Sequence, residues 1–325
     1  MDRTKHLTLD DILAQLQQTP ADWQEKYLAF YSSFFGGIVT DPRAMLVPVD
    51  DHLVHRGDGV FETLKCRHGH VYNLVQHLDR LIKSCARIGL ELPCDRTALE
   101  QIICDTLRAG GNPDCLARIL VARGPGGLSV NPYESIGTQV YIVVYDAKLS
   151  FMEHRPEGAS IAFSDIPGKP SYFATIKTCN YLPNALMKKQ AVDQGVDFVI
   201  GVDEHGYVTE GPTENIAIVT REGVLARPEE TYLLTGTTLM RGMHLAEQLV
   251  AQGVIKGLEV RPITRDEVRQ ASEVLIFGTT TDVTAVSTVE GQAVGEGKPG
   301  PVWKALHTGL VDELKDDSDL RTRVF

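Results

Sequence analysis

The stretch ATIKTCNYLPNAL, residues 174–186, puts a lysine where chemistry could use it. Lys177 follows Thr175 and Ile176, which favour strands, and precedes the polar run Thr178-Cys179-Asn180 and an apolar stretch containing a proline. At a strand end a lysine either snorkels over apolar neighbours or holds an amine ready for reaction. Three further segments bear on the choice. TEGPTEN (209–215) follows a hairpin strand and carries Glu210; LTGTTLMRGMHLAEQL opens a helix at Gly236-Thr237-Thr238; IFGTTTDV sets Gly278-Thr279-Thr280-Thr281 after an apolar strand. A helix N-terminus offers free backbone N–H groups and the positive end of a dipole, and glycine with hydroxyls lets a phosphate approach. Singly, each has a plain reading: a threonine-rich helix start is an N-cap, Glu210 beside Gly211-Pro212 is a solvated turn residue, and Lys177 is a surface residue. Together an amine, a carboxylate and two phosphate corners ask for one ligand, a phosphorylated aldehyde with a basic ring nitrogen. That ligand is pyridoxal 5′-phosphate, held as a Schiff base with an acid on its ring nitrogen.

RGDGVFET (56–63), HLDRL (77–81), K-T-x-N-Y-L (177–182), TEGPTEN, LTGTT (234–238) and FGTTTDV (277–283) occur in an order that resembles the class IV aminotransferases, the fold-type IV pyridoxal-phosphate enzymes. The resemblance runs over about residues 45–290. VPVDDHLVHRGDGVFET, NYLPNAL and GEGKPGPVWKAL are most similar to the branch of D-amino-acid transaminases and aminodeoxychorismate lyases. The resemblance implies that Lys177 forms the Schiff base and that Glu210 pairs with the pyridine nitrogen. Arg80 would hold the phosphate, with Gly236, Thr237, Thr238 and Thr279 or Thr280 supplying donors. Tyr181 matches the tyrosine at the cofactor's phenolic oxygen in the branched-chain enzymes. Phe61, Thr63 and Lys65 alternate along a strand and so share a face, which the family turns to the substrate. Bacterial D-amino-acid transaminases grip the substrate carboxylate with an Arg-x-His pair after the strand that here ends at Arg123. Here the segment reads ARGPGGLSVNP, and Arg123 or Lys65 are the available cations.

The implied activity moves an amino group from a small α-amino acid, best a D-amino acid such as D-alanine, to a 2-oxo acid such as 2-oxoglutarate. Two alternatives stand beside it: a 4-amino-4-deoxychorismate lyase releasing pyruvate and 4-aminobenzoate, and a branched-chain L-amino-acid aminotransferase. The family also implies a homodimer.

Composition agrees with a small-molecule enzyme. The 325 residues carry a net charge of −11, which argues against nucleic-acid and anionic-membrane partners. A hydrophobic content of 43% with 23% charged residues is that of a globular protein. The six cysteines show no CxxC pair and read as reduced thiols. The opening MDRTKHLTLDDILAQL lacks the apolar run of a secretory signal, and no stretch approaches the roughly 18–20 apolar residues of a membrane span. A cytoplasmic location is expected. Asp50-Asp51-His52 with His55, and His68, His70 and His77, lack metal-ligand spacing, so no metal is expected. GEGKPG (295–300) has proline where a P-loop needs Ser or Thr, and no G-x-G-x-x-G follows a strand.

The elements that must position these residues read as α/β in the first half and α+β in the second, a two-domain fold-type IV architecture with the cofactor at the domain interface. Residues 1–35 are expected as a helical extension, 36–150 as a small α/β domain, and 151–325 as a larger strand-rich domain carrying Lys177. GVFETLKCR reads as a strand with His68-Gly69 as its turn. Leu74, Leu78, Leu81 and Cys85 form one stripe of a helix over 73–88. A second helix covers 96–109, and ARILVARG and TQVYIVVYDA read as buried strands. Helices are expected over 182–194, 237–252 and 301–314. Strands are expected near 160–164, 197–202, 207–209, 215–219 and 223–225, and at VLIFGTT.

Overall fold

The computed structural model describes residues 4–315 and 318–325. Alternation decides the first half. β1 (Tyr27–Ser32), β2 (Gly37–Val39), β3 (Gly59–Arg67), β4 (His70–Tyr72), β5 (Cys115–Ala122) and β6 (Gln139–Asp146) form an antiparallel sheet. Its order is β4-β3-β5-β6-β1-β2, and the chain's last strand, Arg321–Arg323, returns to pair with the outer edge of β4. In β3, Val60, Leu64 and Cys66 face a core built with α3 (Leu74–Arg87) and α4 (Arg96–Gly110), while Phe61, Thr63 and Lys65 face the other way. The stripe Leu74, Leu78, Leu81 and Cys85 is buried as its spacing requires, and Leu99, Ile103 and Leu107 add the matching stripe of α4. Burying each such side chain contributes about 1.5–3 kcal/mol.

The second sheet is mixed. β7 (Ala159–Phe163), β8 (Phe198–Ile200), β9 (Asn215–Val219), β10 (Val224–Arg227), β11 (Gly257–Val260), β12 (Glu273–Gly278) and β13 (Asp282–Val289) lie in the order β11-β10-β9-β12-β13-β7-β8. All five residues of β9, NIAIV, are buried. Such a continuous apolar run marks a strand covered on both faces. One face packs an apolar cluster around Ile216, Ile218, Val274 and Ile276; the other receives the helices Thr237–Ala251 and Pro301–Glu313 through Leu239, Met243, Leu306 and Leu310. No helix among the described residues is long and apolar enough to cross a membrane. All six cysteines are unpaired.

Three local expectations change. The helical reading of the N-terminus holds only for Leu9–Leu16, because Tyr27–Ser32 is a strand seated between β6 and β2. YLAFYS is rich in aromatics that suit a pleated, half-buried surface, a pattern hidden by extending the spacing of the leucines before it. Lys177 ends no strand: the one-turn helix Ser171–Ala174 precedes it, and Thr178 makes a single bridge to Val60. Gly278-Thr279-Thr280-Thr281 starts no helix, since 279–281 is the tight turn from β12 into antiparallel β13.

Candidate active site

Lys177 sits on the seam between the two sheets. Its carbonyl accepts from the Phe61 N–H at 2.9 Å, and the Cys179 N–H donates to the Gly59 carbonyl at 2.8 Å, so backbone bonds from β3 fix the lysine from both sides. Its Nζ lies 4.7 Å from the centre of the Phe61 ring. That Nζ makes no hydrogen bond or ion pair with any described residue. Burial, and then the Arg80 charge, lower its pKa from 10.5 to about 8. An amine so placed is about one-tenth neutral at pH 7, far more than an ordinary lysine.

Glu210 comes from the corner before β9. One of its oxygens, Oε2, accepts from the Leu234 N–H at 3.0 Å and from Asn215 Nδ2 at 3.4 Å. Asn215 also donates to the Leu234 carbonyl at 2.9 Å, tying this corner to the strand-to-helix turn. Gly236 belongs to that turn, and a Cβ there would lie 1.8 Å from Asn215 Oδ1, so only glycine allows the approach. Burial raises the Glu210 pKa to about 7. A second carboxylate, Glu214, reaches the same cleft, bonded to its neighbour Thr213 and also raised by burial.

Arg80 lies on α3 away from the apolar stripe, a position that usually faces solvent. It turns inward instead. Its Nε and Nη2 donate to the two oxygens of Glu62 at 2.7 and 2.8 Å, and Nη1 donates to the Thr235 carbonyl at 3.0 Å. His77 Nδ1 lies 2.7 Å from Glu62 Oε2, and its Nε2 lies 3.3 Å from Thr237 Oγ1. Glu62 is fully buried, yet Arg80 and His77 overcome the burial and hold its carboxyl at about 2. Burial lowers the pKa of His77 against the opposing pull of Glu62. Neither Glu62 nor His77 was sought as part of the site, although a lone acid inside the apolar strand GVFETLKCR was a usable signal.

This linkage yields a prediction. Glu62→Gln leaves the Arg80 guanidinium without its counter-charge in a buried place, at a cost of about 3–5 kcal/mol. The melting temperature of the cofactor-free protein is expected to fall on the order of 5–10 °C. An unchanged thermal melt would show that Arg80 finds another partner.

Arg80, Lys177, Tyr181, Glu210, Gly236, Thr237, Thr238 and Thr279 line one cleft, which encloses about 400 Å³ of empty space opening to solvent. The helix from Thr237 begins at Gly236 with no side-chain cap, leaving its first N–H groups directed at that cleft. Tyr181 packs edge-on against Phe61, with ring centres 5.1 Å apart. Other expected residues lie elsewhere. Thr280 and Lys65 line a second, wider cavity with Arg118, and Lys65 is bonded to Asp282 at 2.5 Å. Thr63 is paired in register with Arg118. Arg123 is consumed away from the cleft, bonded to both oxygens of Asp58 at 3.0 Å and to the Ile88 and Gly89 carbonyls at 2.9 Å. Arg118 was overlooked. Its guanidinium stands 5.3 Å from the Phe61 ring centre and has no carboxylate partner among the described residues.

Residues 59–289 match the family model for amino-transferase class IV. The chain belongs to the class IV aminotransferases. It is 37% identical over 292 residues to the D-amino-acid transaminase, chloroplastic, of Arabidopsis thaliana, covering 90% of this chain and 78% of that protein. Among solved structures, the T.th. branched-chain amino acid aminotransferase with pyridoxamine 5′-phosphate superposes with a TM-score of 0.85 at 27% identity, over 92% of this chain and 99% of that one. The 4-amino-4-deoxychorismate lyase of Pseudomonas aeruginosa gives 0.71 at 25% identity, over 84% and 97%. The cofactor of this class, pyridoxal 5′-phosphate, fits the residues present in this aminotransferase. An unpartnered amine, a carboxylate with its second oxygen unbonded, and an uncapped helix start beside a guanidinium are the donor set that an aldehyde, a ring N–H and a phosphate need.

Proposed function

We propose that this class IV aminotransferase transfers the amino group of a small D-amino acid, of the D-alanine type, to a 2-oxo acid such as 2-oxoglutarate. The observation that carries the reading is the unpaired Lys177 amine, set between Phe61 and Glu210 and opposite an uncapped helix start. Bound pyridoxal phosphate supplies an electron-poor ring that accepts the electrons left when the substrate Cα–H bond breaks. Lys177 would hold the cofactor through Nζ, and the same Nζ would carry the proton taken from the substrate Cα. Glu210 holds the proton on the ring nitrogen by opposite charge. Arg80 and the first turn from Thr237 bind the phosphate, so orientation and proton transfer are separate tasks of separate residues.

Lys65 and Arg123 are already paired with Asp282 and Asp58. The substrate carboxylate therefore falls to Arg118, with Thr280 and Tyr145 in the same cavity. Arg118→Leu is expected to raise KM for the amino acid about ten- to a hundred-fold and to change the cofactor's near-visible absorbance little. An unchanged KM would remove Arg118 from substrate binding.

The 37% identity to a D-amino-acid transaminase supports the stereochemical assignment. The fold agreement with the branched-chain enzyme supports L-leucine as a second reading. One panel separates them: D-alanine, L-leucine, L-glutamate and aminodeoxychorismate, each with and without 2-oxoglutarate. Turnover of D-alanine that needs the oxo acid is expected. Pyruvate released from aminodeoxychorismate without an oxo acid would replace the reading with the lyase. In this reading the enzyme works as a homodimer in the cytoplasm. The unpaired cysteines suit a reducing compartment, and the exposed Leu128, Val130, Tyr133 and Ile136 suit a subunit contact.

A further inference from the structure

We propose that Lys65 and Asp282 are positioning residues of this active site: their ion pair holds the turn 279–281, which presents Thr279 to the cofactor and Thr280 to the substrate. The inference rests on cofactor and substrate occupying the two cavities as proposed above.

β12 and β13 close at the register pair Gly278 and Asp282, with residues 279–281 between them. Asp282 has a φ of +54°, the left-handed conformation that a three-residue hairpin connection uses and that Asp and Asn tolerate. Inside the turn the contacts are local. Thr284 Oγ1 donates to the Thr281 carbonyl at 3.0 Å, and a Cβ on Gly278 would lie 2.7 Å from Thr281 Oγ1. Neither contact reaches the first sheet. Asp282 does: its Oδ1 accepts from Lys65 Nζ at 2.5 Å, across 217 positions of sequence.

Lys65 is only 5% exposed, and a charge so enclosed needs a partner. Asp282 is its one hydrogen-bonded or ion-paired side chain among the described residues, and the reverse also holds. The turn faces two ways. Thr279 lines the cleft with Lys177 and Arg80, whereas Thr280 lines the wider cavity with Arg118 and Lys65. β3 carries the far end of the tether. Its Phe61 N–H donates to the Lys177 carbonyl, its Glu62 accepts from Arg80, and its Lys65 donates to Asp282. From Phe61 to Lys65 the strand runs roughly 13 Å. One strand thus spaces the amine, the guanidinium and the turn. Without the Lys65 bond the turn keeps its hairpin register and loses its tie to that strand.

The test uses cofactor-free protein and holoenzyme. Lys65→Met keeps the buried aliphatic stem, and Asp282→Asn keeps a residue that tolerates the left-handed backbone; each removes one charge. In either variant two values are expected to rise about ten-fold. They are the Kd for pyridoxal phosphate, read from the absorbance of the bound cofactor, and the KM for the amino acid. kcat stays within about three-fold of wild type. Lys65→Arg keeps the charge and holds Kd and KM within about three-fold. The double variant Lys65→Met with Asp282→Asn loses no more than the worse single one, since both break the same bond. It leaves no unpaired buried charge, so it carries the expectation if a single variant does not fold. A KM that rises in Lys65→Met but falls in Asp282→Asn would show Lys65 meeting the substrate itself, and overturns the role. So do losses that multiply in the double variant, or a lowered melting temperature with Kd and KM unmoved. The Kd is read without turnover, which separates the tether from the parent reading. Pyruvate released from aminodeoxychorismate without an oxo acid replaces the D-amino-acid reading and leaves the Kd to decide the tether. Wild-type protein that binds no pyridoxal phosphate overturns both.

Discussion

Lys177→Ala protein, purified and supplied with pyridoxal phosphate, is expected to show no near-visible absorbance of a protonated imine and to turn over at least about 10³-fold more slowly than wild type. Borohydride added to the wild type should fix the chromophore on a peptide containing Lys177. The size of the effect follows from the surroundings. Lys65 is held against Asp282, and Lys169 lies over the Tyr181 ring and lines a different cavity. No other described amine lines the cleft. Alanine therefore removes the covalent anchor and the proton carrier in one step. The phosphate donors survive, because Thr237, Thr238 and Arg80 are positioned by the helix start and by Glu62. The variant should thus still bind pyridoxal phosphate, weakly and without the imine spectrum. Normal turnover in Lys177→Ala would refute the assignment.

What the sequence showed, and what it hid, divides along one physical line. Lys177, Glu210 and Gly236-Thr237-Thr238 declare themselves because each is a chemical group at a local break in periodicity, and the cleft gathers all of them. The stripes of α3 and α4 were equally legible, since 3.6-residue spacing is a local property. Arg80 was not legible from its own helix. Its direction is decided by Glu62, a buried acid 18 positions earlier on a neighbouring strand. Arg123 fails in the opposite sense: it has the right type and place in sequence, but Asp58 and two carbonyls at the end of α3 use up its donors. Arg118 was a lone charge inside the apolar strand CLARILVA, and pairing with Thr63 turns it to the Phe61 face of the sheet. A single charge in a strand whose neighbours are all apolar is the signal to pursue, and Glu62, the lone acid of a buried strand, carried a weaker form of it. Thr279 and Thr280 show the limit of motif reading. They are adjacent in a β-turn and line different cavities.

Glu210→Gln separates catalysis from stability, and the two effects should run in opposite directions. The amide can still accept from the Leu234 N–H, so the corner keeps its fold and the cofactor keeps its phosphate contacts. It cannot hold a positive charge on the ring nitrogen, and turnover is expected to fall about 10²–10³-fold with the absorbance retained. For stability the sign is set by burial, which raises the Glu210 pKa from 4.5 to about 7 in the cofactor-free protein. A carboxyl raised on folding binds its proton more tightly in the folded state. Its contribution is fully favourable below pH 4.5 and is lost as pH rises through 7. Above pH 7 the folded protein carries an ionised carboxylate where a neutral group would sit at lower cost. Glu210→Gln should therefore stabilise the cofactor-free protein at pH 8, on the order of 2–3 kcal/mol, and leave it little changed at pH 5. Thermal melts at the two pH values read this directly. Equal shifts at pH 5 and pH 8 would mean that the charge of Glu210 is not what strains the buried corner, and unchanged kinetics would remove its role as partner of the ring nitrogen. The opposite outcomes in one variant would identify Glu210 as a group kept for chemistry at the expense of stability.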